Sequence, residues 1–202
     1  MEEMYELKYK EKKEKSPHCV TNYFTVANFF TVSNLVFGFM AIVFLYKTNN
    51  ERHICSAVFI LLAAICDFFD GYVARKRNEC SEFGKEFDSL ADVLSFGLAP
   101  AAIFVSKHIA VFTSFLLISG AFYLISAALR LARFNVIDTA DGTIKGLPTT
   151  VAGTVLSLKF ISDYLLSREV TLLEDGIIII VLSLLMLGNF TLRKIGYKRR
   201  ID

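Results

Sequence analysis

Four aspartates in two neighbouring apolar stretches are the residues of this sequence best suited to chemistry. Asp67 and Asp70 stand three positions apart, and Asp88 and Asp92 stand four apart. In helices, these spacings place each pair on one face. A carboxylate near the centre of a membrane helix costs about 2.5–3.5 kcal/mol, so the group needs a compensating charge. Clustered carboxylates suit Mg²⁺, Mn²⁺ or Ca²⁺, and four can hold two cations that clamp the oxygens of a phosphoryl displacement.

Apolar blocks surround these aspartates and make up most of the chain. Of the 202 residues, 54% are hydrophobic, which is more than a soluble domain usually has. A bilayer core of about 30 Å needs about 20 mostly apolar helical residues. We therefore expect an all-α, polytopic membrane protein. Its six transmembrane helices are predicted at 26–46, 54–75, 86–106, 109–130, 149–167 and 172–191.

The basic residues predict the orientation of these helices. Most of the 22 lysines and arginines fall on one side if both termini are cytoplasmic, as the positive-inside rule describes. We predict a multi-pass protein of the cell membrane with its active site on the cytoplasmic side. It comprises a cytoplasmic or interfacial arm over 1–25, a six-helix domain over 26–192 and a basic tail over 193–202. The net charge of +2 favours bilayer lipids, not nucleic acid, as the partner of the basic segments.

The two aspartate pairs are expected at the same depth. Asp67 lies eight residues before Arg75, and Asp92 lies eight residues after Gly84. Both are therefore about 12 Å from the cytoplasmic end of their helices. Gly71 shares the face of Asp67, where a small residue leaves a hollow for a ligand. Close packing of two helices through small residues is the alternative explanation.

The segment DFFDGYVARKRNECSEFGKEFDSLAD, residues 67–92, resembles the motif of the CDP-alcohol phosphotransferases. That motif reads D, two residues, DG, two, AR, eight, G, three, D, three, D. All eight fixed positions match: Asp67, Asp70, Gly71, Ala74, Arg75, Gly84, Asp88 and Asp92. The resemblance in hydropathy and topology covers about residues 20–192.

The resemblance implies roles for these residues. Asp67, Asp70, Asp88 and Asp92 would bind two divalent cations, and Asp92 would also take the proton of the acceptor hydroxyl. The CDP-lipid would be bound by Asn28, Thr31, Gly71, Ala74, Arg75, Ser81 and Gly84. Asn28 and Thr31 have an alternative explanation as polar groups capping a helix end. The family also suggests a homodimer.

Three further segments resemble the phosphatidylserine synthase branch of the family: NFFTVSNLVFGFMAI, LRLARFNV and KGLPTTVAG. The third departs from the Pro-Ala pattern expected after Pro148. The branch implies transfer of a phosphatidyl group from CDP-diacylglycerol, or an archaeal ether-lipid equivalent, to L-serine with release of CMP. Other acceptors, such as glycerol 3-phosphate or inositol phosphate, remain open.

Serine carries a carboxylate, and basic residues near the cytoplasmic ends of spans four and five could bind it. The candidates are Arg130, Arg133 and Lys145, with Asn135 as a neutral hydrogen-bonding group. Ordinary snorkelling of basic side chains is the alternative for the arginines. Because glycerol 3-phosphate would use similar residues, charge alone does not select the acceptor.

A cation transporter is the alternative from another functional class. It predicts acidic residues at several depths, whereas the acids of spans two and three all lie in the inner half. Lys159 and Asp163, four residues apart in span five, are expected to form a charge-neutral pair. His53 and His108 stand at span ends without partner spacing and receive no role.

Overall fold

The computed structural model describes residues 25–47, 51–77, 81–111, 113–136 and 143–193, with the backbone alone at 143–145 and 191–193. The predicted arm over 1–25, apart from Thr25, and the predicted tail, apart from Arg193, lie outside the described residues. The helices are α1 (Val26–Phe44), α2 (Arg52–Arg77), α3 (Glu82–Asp92), α4 (Ala99–Lys107), α5 (Ser114–Val136), α6 (Thr149–Leu165) and α7 (Leu172–Leu187). A π-helix over Val93–Leu98 joins α3 to α4, and a 3₁₀ turn covers Ile109–Val111.

Four of these helical segments are long and apolar enough to cross a membrane. They are Val26–Phe44, Arg52–Arg77, Glu82–Lys107 and Ser114–Val136. The predicted spans 149–167 and 172–191 correspond to helices of 17 and 16 residues. These are shorter than the roughly 20 residues that a full crossing needs. The all-helical, membrane-type architecture is thus confirmed with four candidate spans.

Helix boundaries follow capping residues that hydropathy does not reveal. Ser81 caps α3, because its Oγ accepts a hydrogen bond from the backbone N–H of Gly84 at 2.9 Å. This helix begins earlier than the predicted residue 86. Thr113 similarly accepts from the N–H of Leu116 at 3.3 Å. The fifth helix therefore begins at Ser114, because the apolar residues 109–111 form a separate turn.

A short antiparallel pair of strands was not predicted. β1 (Thr143–Lys145) pairs with β2 (Thr191–Arg193), with Ile144 opposite Leu192. Gly146 follows at φ +73, a conformation that favours glycine, and its N–H donates to the carbonyl of Phe190 at 2.9 Å. The segment before α6 is thereby fastened to the end of α7.

The interior of the bundle combines large apolar side chains with serine hydroxyls. Phe96, Phe104 and Tyr123 are fully buried at its centre. Five buried serines donate to the carbonyl four residues earlier in their own helix, namely Ser56, Ser119, Ser126, Ser157 and Ser183. Their hydroxyls are thus satisfied without water, as a membrane interior requires. Large apolar residues such as Phe29, Ile118 and Leu158 are exposed on the outer faces.

A cluster of charges closes the end of the bundle away from the four aspartates. Lys159 contacts Asp163 at 2.5 Å, which confirms the predicted pair. Lys107 also contacts Asp163, at 3.1 Å, and both lysines contact Asp175. His108, which received no role, lies 2.7 Å from Asp175 through Nε2. The cluster joins α4, α6 and α7, and every acid in it has a basic partner.

We expect Asp175→Ala to lower the free energy of unfolding by about 3–5 kcal/mol, because it leaves two half-buried lysines with one carboxylate between them. Thermal and chemical unfolding in detergent would measure this loss. Glu174→Ala is the matched control, since Glu174 is exposed and its contact with Arg168 is 3.6 Å long. The control should change stability by less than about 1 kcal/mol. Equal stability of the two variants would contradict a stabilising role for the cluster.

Candidate active site

The antiparallel α2 and α3 bring three of the four aspartates together. Carboxylate oxygens of Asp67, Asp70 and Asp88 all lie within 4.8 Å of one another. The three residues are buried or half-buried. Asp92 is buried one turn deeper and is not part of this group of three. For these three residues, the depth in the bundle and the shared helical face agree with the prediction made from their spacing in the sequence.

Hydroxyl and amide groups from other helices hold the carboxylates. Thr31 of α1 donates to Asp70 Oδ2 at 3.1 Å, and Thr150 of α6 donates to Asp67 Oδ2 at 3.0 Å. Asn34 of α1 donates through Nδ2 to Asp92 Oδ1 at 3.2 Å. Each hydrogen bond uses one oxygen of the carboxylate and leaves the second oxygen of the same carboxylate for another ligand.

The donor set fits a hard divalent cation. Asp88 Oδ1 is buried and accepts no hydrogen bond from any residue in the described part of the chain. Among the described residues, no lysine or arginine forms an ion pair with any of the four aspartates. A buried cluster of acids without a basic partner is costly unless a cation neutralises it. Oxygen ligands alone favour Mg²⁺, Mn²⁺ or Ca²⁺ over metals that prefer thiolate or imidazole.

A cavity of about 470 Å³ adjoins the aspartates. All seven residues that the motif and the end of span one suggested for the CDP-lipid line it: Asn28, Thr31, Gly71, Ala74, Arg75, Ser81 and Gly84. Asp70 and Asp88 form part of its wall, so the carboxylate group faces the same space. Lys85 and Phe134 also line the cavity, and neither was singled out from the sequence.

Local geometry explains several of these lining residues. A Cβ on Gly71 would lie 3.4 Å from Nη1 of Arg75, so the missing side chain gives the guanidinium room. A Cβ on Gly84 would lie 3.1 Å from Ser81 Oγ and 3.4 Å from Asn28 Oδ1. Thr25, not Asn28, caps α1. The capping explanation therefore does not apply to the Asn28 side chain, which is buried beside Gly84.

Arg130 is the most buried basic residue near the aspartates. Its side chain is 8% exposed, and Nη1 donates to Thr149 Oγ1 at 3.2 Å. Its Nε is buried without a partner. The guanidinium also lies over the ring of Phe134, 5.4 Å from the centroid. A buried cation with one hydroxyl partner has unused capacity to bind an anion.

The other predicted acceptor contacts lie in different surroundings. Arg133 holds the end of α7, donating to the carbonyls of Met186, Leu187 and Gly188 and to Asn189 Oδ1 at 3.1–3.3 Å. Asn135 bonds to Ser89 and Glu86 and so joins α5 to α3. The backbone of Lys145 lies in β1, and its side chain is outside the described residues. The structure does not gather these four residues around one point.

Sequence reasoning missed three residues that contact the site. Asn34, Thr149 and Thr150 bond to Asp92, Arg130 and Asp67. Asn34 could have been found, because it is an amide within an apolar helix, three positions after Thr31. Thr149 and Thr150 were harder to identify, because they stand directly after Pro148, where this sequence departs from the Pro-Ala pattern of the branch.

Comparison of this sequence with known proteins identifies its family. Residues 24–190 match the family model described as CDP-alcohol phosphatidyltransferase. The chain is 35% identical to a CDP-diacylglycerol--serine O-phosphatidyltransferase of Methanocaldococcus jannaschii, over 84% of this chain and 74% of the relative. It is 31% identical to an archaetidylserine synthase of Methanothermobacter thermautotrophicus, over 84% and 70% of the two chains.

A third relative has a different acceptor in its name. It is a CDP-diacylglycerol--glycerol-3-phosphate 3-phosphatidyltransferase of Rickettsia felis, 40% identical over 38% of this chain and 39% of the relative. The motif, the carboxylate group and the matches over most of the chain lead to one conclusion. This chain belongs to the CDP-alcohol phosphatidyltransferase family.

Proposed function

We propose that this enzyme transfers a phosphatidyl group from a CDP-diacylglycerol-type lipid to the hydroxyl of L-serine and releases CMP. The observation that carries the proposal is the group of three carboxylates within 4.8 Å, two of which, Asp70 and Asp88, line the cavity formed by the motif residues. Relatives named for serine transfer match along most of the chain, whereas the one named for glycerol 3-phosphate matches a shorter part. CDP-diacylglycerol and an archaeal ether-lipid equivalent are both candidate donors, because the matching relatives include a CDP-diacylglycerol enzyme and an archaetidylserine synthase.

In this proposal, each part of the site has one task. Asp67, Asp70 and Asp88, joined by Asp92, would hold two divalent cations. When bound, these supply positive charge that neutralises the pyrophosphate and orients the phosphorus. The CDP moiety lies in the 470 Å³ cavity, where Arg75 and Lys85 offer cationic donors.

The transfer itself is a displacement at the lipid-bearing phosphorus. Asp92 takes the proton of the serine hydroxyl, and the serine oxygen forms the new bond to phosphorus. The bond from that phosphorus to the CMP oxygen breaks, and CMP leaves with the bonding electrons. Burial of Asp92 keeps water away from the base, which favours transfer over hydrolysis of the lipid.

Arg130 is the proposed partner of the serine carboxylate. It lies close enough to Asp67, Asp88 and Asp92 for electrostatic interaction, and its Nε has no partner. A guanidinium binds a carboxylate through two parallel hydrogen bonds, which fixes the orientation of the acceptor. Arg133 would act indirectly, because it holds the end of α7, to which the segment just before Thr149 and Thr150 is bonded.

We also propose the arrangement of the whole chain in the membrane. The helices α6 and α7 complete six spans, and both termini and the active site face the cytoplasm of a cell-membrane protein. The arm over 1–25 and the tail over 193–202 flank a membrane domain over 26–192, and two copies form a homodimer. The excess of basic residues at the ends that carry the aspartates supports this orientation,.

The proposed reaction is tested by supplying purified enzyme with CDP-diacylglycerol and a panel of alcohols. We expect serine to give the fastest CMP release, ahead of glycerol 3-phosphate, inositol phosphate, ethanolamine and choline. If glycerol 3-phosphate outcompeted serine, the chain would be a phosphatidylglycerophosphate-forming enzyme, and Arg130 would be reassigned to the acceptor phosphate. CMP release that is equal with and without any alcohol would contradict the transfer.

Arg130→Ala should raise the KM for serine by about 10- to 100-fold and leave the KM for the CDP-lipid nearly unchanged. The reason is the loss of one charged, hydrogen-bonded contact, which contributes about 1.5–3 kcal/mol. Arg168→Ala is the matched control, because Arg168 is an exposed arginine at the other end of the bundle. Equal KM values for serine in the Arg130 variant and the wild type would remove Arg130 from the acceptor site.

A further inference from the structure

Asn34 is a fully buried amide in the middle of α1, and it contacts the proposed base. Its Nδ2 donates to Asp92 Oδ1 at 3.2 Å, while its own Oδ1 is buried and has no hydrogen-bond partner among the residues that the structure describes. A buried polar atom that lacks a partner lowers stability, so an apolar residue would serve better if packing were the only need. The amide therefore has another use.

The backbone of Asn34 is bonded to the same part of the chain. Ser95 Oγ donates to the carbonyl of Asn34 at 3.0 Å. One turn further along α1, a Cβ on Gly38 would lie 2.2 Å from Ser95 Oγ, so only glycine permits this approach. Two hydrogen bonds running in opposite directions thus connect Asn34 to residues on both sides of the start of the π-helix.

The π-helix over Val93–Leu98 begins directly after Asp92. Single π-turns are uncommon and occur often at functional sites. Tyr123 donates its hydroxyl to the carbonyl of Phe96 at 3.0 Å, and a Cβ on Gly153 would lie 2.9 Å from Phe96 Cβ. Contacts from α1, α5 and α6 therefore fix the π-helix that directly follows Asp92.

We propose that Asn34 is a positioning residue that orients the carboxylate of Asp92 for proton transfer. The two oxygens of a carboxylate are equivalent until one of them is held. The amide of Asn34 holds Oδ1, which fixes the plane of the carboxylate and directs Oδ2 toward the acceptor hydroxyl. This inference rests on the proposed function, in which Asp92 is the base. Small errors in such geometry are costly, since a misplacement of about 1 Å can lower a rate about 100-fold.

Asn34→Leu tests this inference, because leucine has a similar size, cannot donate and removes the unpartnered oxygen. We expect kcat to fall about 10- to 100-fold, with the KM for serine and for the CDP-lipid within about 3-fold of wild type. The melting temperature in detergent should change by only a few degrees, because the unpartnered oxygen of Asn34 is removed while Asp92 Oδ1 loses its donor. Ser33→Ala is the matched control, since within the described ranges the Ser33 hydroxyl bonds only to the carbonyl of Phe29 on the same helix. It should leave all four values unchanged.

A purely structural role predicts a different result. In that case Asn34→Leu would lower the melting temperature and raise the KM for the CDP-lipid together with any loss of kcat, and the inference would be overturned. A kcat within about 3-fold of wild type would also overturn it. If the leucine variant does not fold, Asn34→Ser replaces it, because the shorter side chain vacates space without adding bulk and should show the same split between kcat and KM.

The double variant with Asp92→Asn shows through which residue Asn34 acts. If Asn34 acts through Asp92, its replacement should have no further effect once the base is absent. If the losses of kcat in the two single variants multiply in the double variant, Asn34 acts through a group other than Asp92. Different results would show that the proposed function is wrong. They are a preferred acceptor other than serine, or a wild-type rate for Asp92→Asn. The kcat comparison for Asn34 can be made with whichever acceptor is preferred.

Discussion

Asp92→Asn should lower kcat for serine-dependent CMP release by about 100- to 10,000-fold, the usual contribution of a general base. Asparagine keeps the size of the side chain and one oxygen able to bind a metal, but it cannot accept the hydroxyl proton. The CDP-lipid should still bind, because the residues that line its cavity are untouched. A direct binding measurement with a CDP-lipid analogue separates the two effects.

Two further variants make this result specific. Asp67→Asn should weaken CDP-lipid binding as well as turnover, because Asp67 belongs to the group of three carboxylates. Asp163→Asn removes a buried carboxylate from the other end of the bundle and should leave the KM values unchanged. If Asp92→Asn turned over at nearly the wild-type rate, another group would have to be the base.

Removal of divalent cations should lower activity by more than about 100-fold, and addition of Mg²⁺ or Mn²⁺ should restore it. No lysine or arginine in the described part of the chain forms an ion pair with Asp67, Asp70 or Asp88. The single guanidinium of Arg130 nearby would leave most of their charge and that of the pyrophosphate uncompensated. CMP release in metal buffers of stepwise concentration measures the requirement. Ca²⁺ in the same series tests whether a larger cation with looser geometry also supports turnover.

The control for this experiment is the metal content of the protein itself. Elemental analysis before the assay shows whether a cation was carried through purification. Full activity in excess EDTA, in protein shown to be free of metal, would rule out the cation-dependent mechanism. Loss of activity that the cations do not reverse would indicate damage to the fold instead.

Local spacing predicted the core of the site well. The positions of Asp67, Asp70 and Asp88 follow from helical periodicity and from the short connection between two antiparallel helices, both of which act over a few residues. The lining of the cavity by Gly71, Ala74 and Arg75 follows for the same reason. Such features are fixed as soon as the two helices pair.

Contacts between distant segments were less predictable. Asn34 and Asp92 are 58 residues apart, and Thr150 and Asp67 are 83 apart. Such pairs depend on the rotation of each helix in the bundle, and a mostly apolar helix carries little information about that rotation. The same reason applies to His108 and Asp175, which meet only because α4 ends at the level where α7 begins.

Hydropathy alone also failed to predict where the helices begin and end. Apolar residues before Ser114 form a 3₁₀ turn, and the pairing of β1 with β2 depends on backbone bonds that apolar character does not encode. The length of α6 is set by Pro148 and by the turn that contains Ser167, and α7 runs from its cap Thr171 to Gly188. Continuous apolar sequence thus predicted helices correctly and their ends poorly.

The central claim is that the aspartate site joins serine to the lipid-bearing phosphorus of a CDP-lipid. Its most direct measurement supplies purified enzyme with CDP-diacylglycerol, Mg²⁺ or Mn²⁺ and isotopically labelled serine, and counts labelled lipid and CMP together. We expect one labelled lipid for each CMP, with both products formed at least about 100-fold more slowly by Asp92→Asn. Release of CMP without incorporation of serine into lipid would contradict the claim.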